Sequence, residues 1–227
     1  IQSYEVLKEM EDTVNLPAVA GIAAISSLKI GEIEKGEQLA EECMDLSNRY
    51  NNPIGLIIAF YAQGELFQMD KKWDEAIKAY MQSKSLSELY RQQHYILLNN
   101  IALLHAFYEK QQYQKAITFG LAALEQSKNQ KNNNTYYSIN KQLGYAYAGL
   151  AQFQLAYQFI LEAHETYVNT ASLESRSSMN EMLVKYETQK KETEIAEQKV
   201  LILQQQKQVD QRNMWIVILT GTLIASL

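Results

Sequence analysis

Residues Lys141 to Ala163 read KQLGYAYAGLAQFQLAYQFILEA. Leu143, Tyr147 and Leu150 recur at helical spacing, and the pattern breaks near Ala151. A second helical pattern runs through Phe153, Ala156, Ile160 and Ala163. Small residues at Gly144, Ala156 and Ala163 fall where two helices would cross closely. The stretch therefore predicts one antiparallel helix pair.

The pair is not alone. Ile33, Trp73, Tyr113 and Phe153 are spaced 40 residues apart, as are Gly36, Ala76, Ala116 and Ala156. Cys43, Ser83, Ala123 and Ala163 keep the same interval, and so do Ala24, Gly64, Leu104 and Gly144 in the first helices. Ser27, Phe67, Phe107 and Tyr147 follow three residues after that set. One period held in several registers predicts stacked repeats, because a single helix pair cannot bury both of its faces. The aromatic opening each second helix is expected to fill the gap to its partner helix.

The predicted fold is an all-α solenoid of about four helix-turn-helix units. Residues 1–16 read as the remnant of a preceding repeat. The repeat domain covers 17–170, with units at about 17–50, 56–90, 95–130 and 135–170. Asn51-Asn52-Pro53 and the run from Asn129 to Asn134 are breaker-rich links.

Residues 171–212 predict one long helix, since no glycine or proline interrupts Ser172 to Arg212. Met179, Met182, Tyr186, Ala196, Val200 and Leu203 share a heptad seam, interrupted by Gln189, Thr193, Lys207 and Asp210. That seam suits a weak or switchable parallel homodimer; the alternative is a single helix docked at its start and solvated beyond. Met214 to Leu227 is a run of 14 uncharged residues. A spanning helix needs about 20, so residues 213–227 are expected to be a truncated transmembrane helix, with Trp215 at the interface. The alternative is a buried terminal helix.

Composition narrows the function. A net charge of -5 and the absence of a basic block argue against nucleic-acid binding by these residues. The single cysteine, Cys43, excludes an internal disulfide and a cysteine-rich zinc site, and its small-residue register predicts a buried structural thiol. His94, His105 and His164 lack metal-ligand spacing, and no phosphate loop is present. No catalytic residue, metal or cofactor is expected.

The first-helix small residue and aromatic (Gly64 with Phe67, Gly144 with Tyr147) and the second-helix alanines Ala76, Ala116 and Ala156 resemble the tetratricopeptide repeat. WDEAIKAY, from Trp73 to Tyr80, carries the same resemblance. The usual period of that repeat is about 34, so a period of 40 implies longer helices or longer loops. In that family the first helices line a concave groove. This places Tyr61, Glu65 and Gln68 of unit two, His105, Tyr108 and Glu109 of unit three, and Lys141 and Tyr145 of unit four on a candidate surface for a protein or peptide.

The order of repeats, charged helix and apolar end is similar to membrane sensor proteins of Bacteroidetes type. That resemblance implies an inner-membrane receptor with a periplasmic repeat domain. Its output, commonly a histidine kinase and less often a helix-turn-helix regulator, would lie beyond residue 227. The alternative is a membrane-tethered cytoplasmic scaffold without an output domain.

Overall fold

The computed structural model describes residues 2–10, 12–127, 133–168 and 173–225; within these, the backbone alone is described at 2–3, 133, 173–179, 181–182 and 213–225. All regular structure among the described residues is helical. In chain order the helices are α1 (Gln2–Glu9), α2 (Leu16–Lys29), α3 (Ile33–Arg49), α4 (Pro53–Met69), α5 (Trp73–Leu89), α6 (Gln93–Glu109), α7 (Tyr113–Ser127), α8 (Asn133–Gly149), α9 (Phe153–Val168) and α10 (Leu173–Ala225). The chain forms two compact units, Ile1–Arg176 and Ser177–Leu227.

In the first unit α2/α3, α4/α5, α6/α7 and α8/α9 are the four helix pairs. Each packs on the next in sequence. The period of 40 has a simple source. Typical helices such as α3, α4, α5, α6 and α8 are 17 residues long. Three-residue links join them, so the extra length over the usual repeat lies in the helices and not in the loops.

The six three-residue links share one geometry. Gly31, Asn51, Lys71, Arg91, Gln111 and Ala151 adopt positive φ between 49° and 85°, at intervals that are multiples of 20 residues. The residue after each donates its N–H five residues back, as in Asn52 to Ser47 at 2.8 Å and Gln152 to Tyr147 at 3.0 Å. This is the left-handed helix stop in which a six-to-one bond satisfies the last carbonyls. The same residue is then the N-cap of the next helix, as Glu32, Asn52, Lys72 and Gln92 are. Gly31 takes that conformation freely and Asn51 tolerates it; at Lys71, Arg91, Gln111 and Ala151 it is disfavoured by about 1–2 kcal/mol. Ala151→Gly is accordingly expected to raise stability by about 0.5–1 kcal/mol, net of glycine's extra unfolded-state freedom. Urea denaturation would show the midpoint moving up.

The second, third and fourth units start before the sequence-based bounds, the fourth at Asn133 and not near residue 135. The second unit begins at Pro53 and not near residue 56, because Pro53 takes the first helical turn and Asn52 Oδ1 accepts from Gly55 N–H at 2.9 Å. Likewise α6 begins at Gln93, directly after its link.

Within each pair, small faces large. A Cβ added at Gly64 would strike the ring of Tyr80, and one at Gly144 would lie 2.6 Å from Ile160. In the third unit the order is reversed: a Cβ at Gly120 would lie 3.1 Å from Leu104. Leu104 is therefore not an irregular member of its register but the large half of an inverted pair. Phe107 stacks on Phe119 with ring centroids 5.4 Å apart, and Tyr147 on Phe159 at 5.2 Å, the same contact one repeat later.

The aromatic opening the second helix does more than fill its own pair. Trp73 meets His105 of the following unit edge-on at 5.7 Å. Tyr113 contacts Tyr108 of its partner helix at 5.7 Å and also abuts Gly149 of the next first helix. These rings are inter-repeat contacts as well as intra-pair ones.

Cys43 and Ser83, 40 residues apart, play one role. Cys43 Sγ donates to the Pro17 carbonyl at 3.0 Å and Ser83 Oγ to the Ile57 carbonyl at 2.8 Å, each tying a second helix to its partner. Both are fully buried. Burial pushes the Cys43 thiol up to about 11. In the native protein Cys43 is expected to react with an aromatic disulfide reagent only as fast as the array opens, and at once in denaturant.

The second unit is carried by α10, 53 residues long or about 80 Å. Val200, Leu201, Ile202 and Leu203 are each more than half exposed, and Tyr186 is buried. The side chains of Met179 and Met182 lie outside the described residues. So do those of 213–227, on which the transmembrane expectation falls. Among the described residues, no helix is long and apolar enough to cross a membrane.

Candidate functional site

Neighbouring first helices touch one another: α2 meets α4, α4 meets α6, and α6 meets α8. The second helices α3, α5, α7 and α9 make no such contacts with each other. The array therefore curves toward its first helices, and their outward stripes form the inner, concave side. Positions four apart on a helix share a stripe, which groups Tyr61 with Glu65, His105 with Glu109, and Lys141 with Tyr145.

The eight expected groove residues fall into two groups. In unit two, Tyr61 is only 7% exposed, while Glu65 and Gln68 are half-buried. They are joined by Tyr80 from α5. Its ring lies 5.6 Å from that of Tyr61, and its hydroxyl donates to Glu65 Oε1 at 2.7 Å, with Gln68 Oε1 at 3.4 Å. Burial, with the Glu65 carboxylate adding to it, holds both Tyr61 and Tyr80 above the ordinary phenol range. Both stay neutral donors at physiological pH. Tyr61 thus offers little surface; it supports Glu65 from below.

The second group joins units three and four. Tyr108 and Tyr145 bring their rings to 6.3 Å across the α6–α8 contact. Lys141 Nζ lies 5.7 Å from the Tyr137 ring centroid and 5.9 Å from that of Tyr145. Tyr137 in turn meets Tyr167 at 4.9 Å. His105 Nε2 sits 3.8 Å from Glu109 Oε1, and Glu109 is exposed. Tyr108, Tyr137 and Tyr145 are half-buried, and burial raises the pKa of each.

The result is a run of contacts from Tyr113 through Tyr108, Tyr145 and Lys141 to Tyr137. Half-buried tyrosines present flat apolar area at little entropic cost, on a side chain that also carries a polar tip. The lysine is held between two rings at cation–π range. Such a strip can take a peptide or helix laid along it. It does not assemble a nucleophile with a base: His105 and Cys43 lie in separate units.

Tyr80, Tyr113 and Tyr137 were missing from the sequence-derived set. Tyr137 precedes Lys141 by four residues, so extending the stripe one turn would have found it. Tyr80 is on a second helix and reaches the groove carboxylate across the space that Gly64 leaves open. Its signal was the Gly64–Tyr80 size match within one pair. Among the described residues, no group of three His, Cys, Asp or Glu side chains is placed to hold a metal.

No family model matches the sequence, and no curated protein matches it. Solved structures do. BtubC (BKLC) from P. vanneervenii superposes with a TM-score of 0.68 at 16% identity, covering 82% of this chain and 78% of that one. A signal transduction ATPase with numerous domains (STAND) from Pyrococcus horikoshii, bearing a tetratricopeptide repeat sensor, gives 0.60 at 14% identity. That match covers 80% of this chain but 32% of the other, so the chain spans about a third of that neighbour's length. At these identities the likeness is one of fold: the chain is an all-helical repeat protein.

Proposed function

We propose that the repeat array is a protein-binding module whose ligand, an extended peptide or a partner helix, lies along the first helices of units three and four. The observation carrying this reading is the Tyr113–Tyr108–Tyr145–Lys141–Tyr137 strip on the concave side. The tetratricopeptide region of the Pyrococcus horikoshii neighbour is described as a sensor, which accords with a recognition role. Selection of a displayed random-peptide library on the wild-type chain, with Tyr108→Ala/Tyr145→Ala protein as the counter-screen, tests it. Enriched peptides should bind the wild type and not the double variant. Peptides that bind both equally would place recognition elsewhere.

We further propose that the array is the input portion of a membrane-anchored bacterial signalling receptor. In this reading the repeats lie in the periplasm, 213–227 begins a span of the inner membrane, and two copies pair through the rod. A histidine kinase would be the output. The continuous backbone of α10 supports this, because an unbroken helix can transmit a change at one end to the other. The native reading frame tests it: an export signal upstream and an output domain downstream are expected. A stop codon shortly after Leu227 would favour the tethered scaffold instead.

A further inference from the structure

The rod carries two candidate pairing seams, and they fall on different faces. One contains Tyr186, Thr193, Val200 and Lys207 at the first core position of successive heptads. The other, two residues on and so turned by about 200°, contains Thr188, Ile195, Ile202 and Val209. Ile195 is 50% exposed, Ile202 62% and Val209 39%.

We infer that a second copy of this chain pairs in parallel along the Ile195–Ile202–Val209 face, and not along Val200–Leu203. This rests on the proposed reading that two copies anchored in one membrane pair through α10. Two comparisons select the face. Its first core position is β-branched in four consecutive heptads (Thr188, Ile195, Ile202 and Val209), whereas the other seam places Tyr186 and Lys207 at two of its four. In a parallel pair, the residue before the first core position faces the residue five further on in the partner. On the chosen face this puts Glu194 opposite Lys199, with one like pair, Glu187 opposite Glu192. On the other it puts Lys185 opposite Lys190 and Glu192 opposite Glu197, two repulsions and no attraction.

The second core layer of the chosen face is polar over Lys191, Gln198, Gln205 and Arg212. Their long stems can cover the apolar layer while their heads reach water. The pair is therefore weak and reversible, as a responsive element requires.

Single cysteines in the 227-residue chain, in a Cys43→Ser background and under mild oxidation, test the face. Ile195→Cys, Ile202→Cys and Val209→Cys should form disulfide-linked dimers at least five times faster than Val200→Cys and Leu203→Cys. Faster linking at 200 and 203 would overturn the assignment while leaving pairing intact. No linking at any of the five, with a monomer by sedimentation, would overturn the pairing itself.

Discussion

Tyr80→Ala is expected to destabilise the array by about 3–5 kcal/mol, the range for deleting a buried aromatic. Tyr80 has no exposed surface and is among the largest fully buried side chains. Its ring occupies the space that Gly64 leaves between α4 and α5. Its hydroxyl is the donor to Glu65. Tyr80→Phe keeps the ring and removes only that bond, so about 1–2 kcal/mol should be lost. The reciprocal change, Gly64→Ala, pushes a methyl into a ring that cannot yield and should cost about 1–3 kcal/mol. Urea titrations with a probe in unit two would order the variants Tyr80→Ala, then Gly64→Ala and Tyr80→Phe. A loss below about 1 kcal/mol for Tyr80→Ala would mean that the pair collapses onto the cavity.

Tyr145→Ala is expected to weaken a groove-selected peptide by about 2 kcal/mol, some 30-fold in Kd. Tyr145 stands at the junction of the strip, beside Tyr108 at 6.3 Å and under Lys141 at 5.9 Å. Its loss removes apolar contact area and frees the lysine. Lys141→Met should weaken peptides bearing a carboxylate over the strip more than neutral ones. Leu121→Ala, an exposed position on the second helix α7, should leave the affinity within twofold. Because the ring at 145 is only half-buried, the variant should fold, and circular dichroism would separate binding loss from unfolding. Equal losses at 121 and 145 would argue against a defined strip.

Much of the architecture was legible from one register. The 40-residue interval between Trp73, Tyr113 and Phe153 carries the helix pairs because each repeat solves the same packing problem. The links were legible in place, at Asn51-Asn52-Pro53 and at the break near Ala151, but not in geometry. Their left-handed positions hold Asn51, Lys71, Arg91, Gln111 and Ala151, residues with no glycine signal. The geometry is imposed there by the packing of helices on either side.

The site was half legible. Counting four residues along each first helix found Lys141, Tyr145, His105 and Glu109. It could not show that Tyr61 is buried, since its depth depends on Tyr80 entering from α5 through the gap at Gly64. Side-chain size across a pair, more than periodicity along one helix, decided which stripe residues reached the surface.

Amide hydrogen exchange on the array, with and without a peptide selected on the wild-type chain, tests most directly whether the first helices form a recognition face. The expected result is slowed exchange confined to α6 and α8, centred near Tyr108 and Lys141. Protection confined to the second helices α5, α7 and α9 would contradict it.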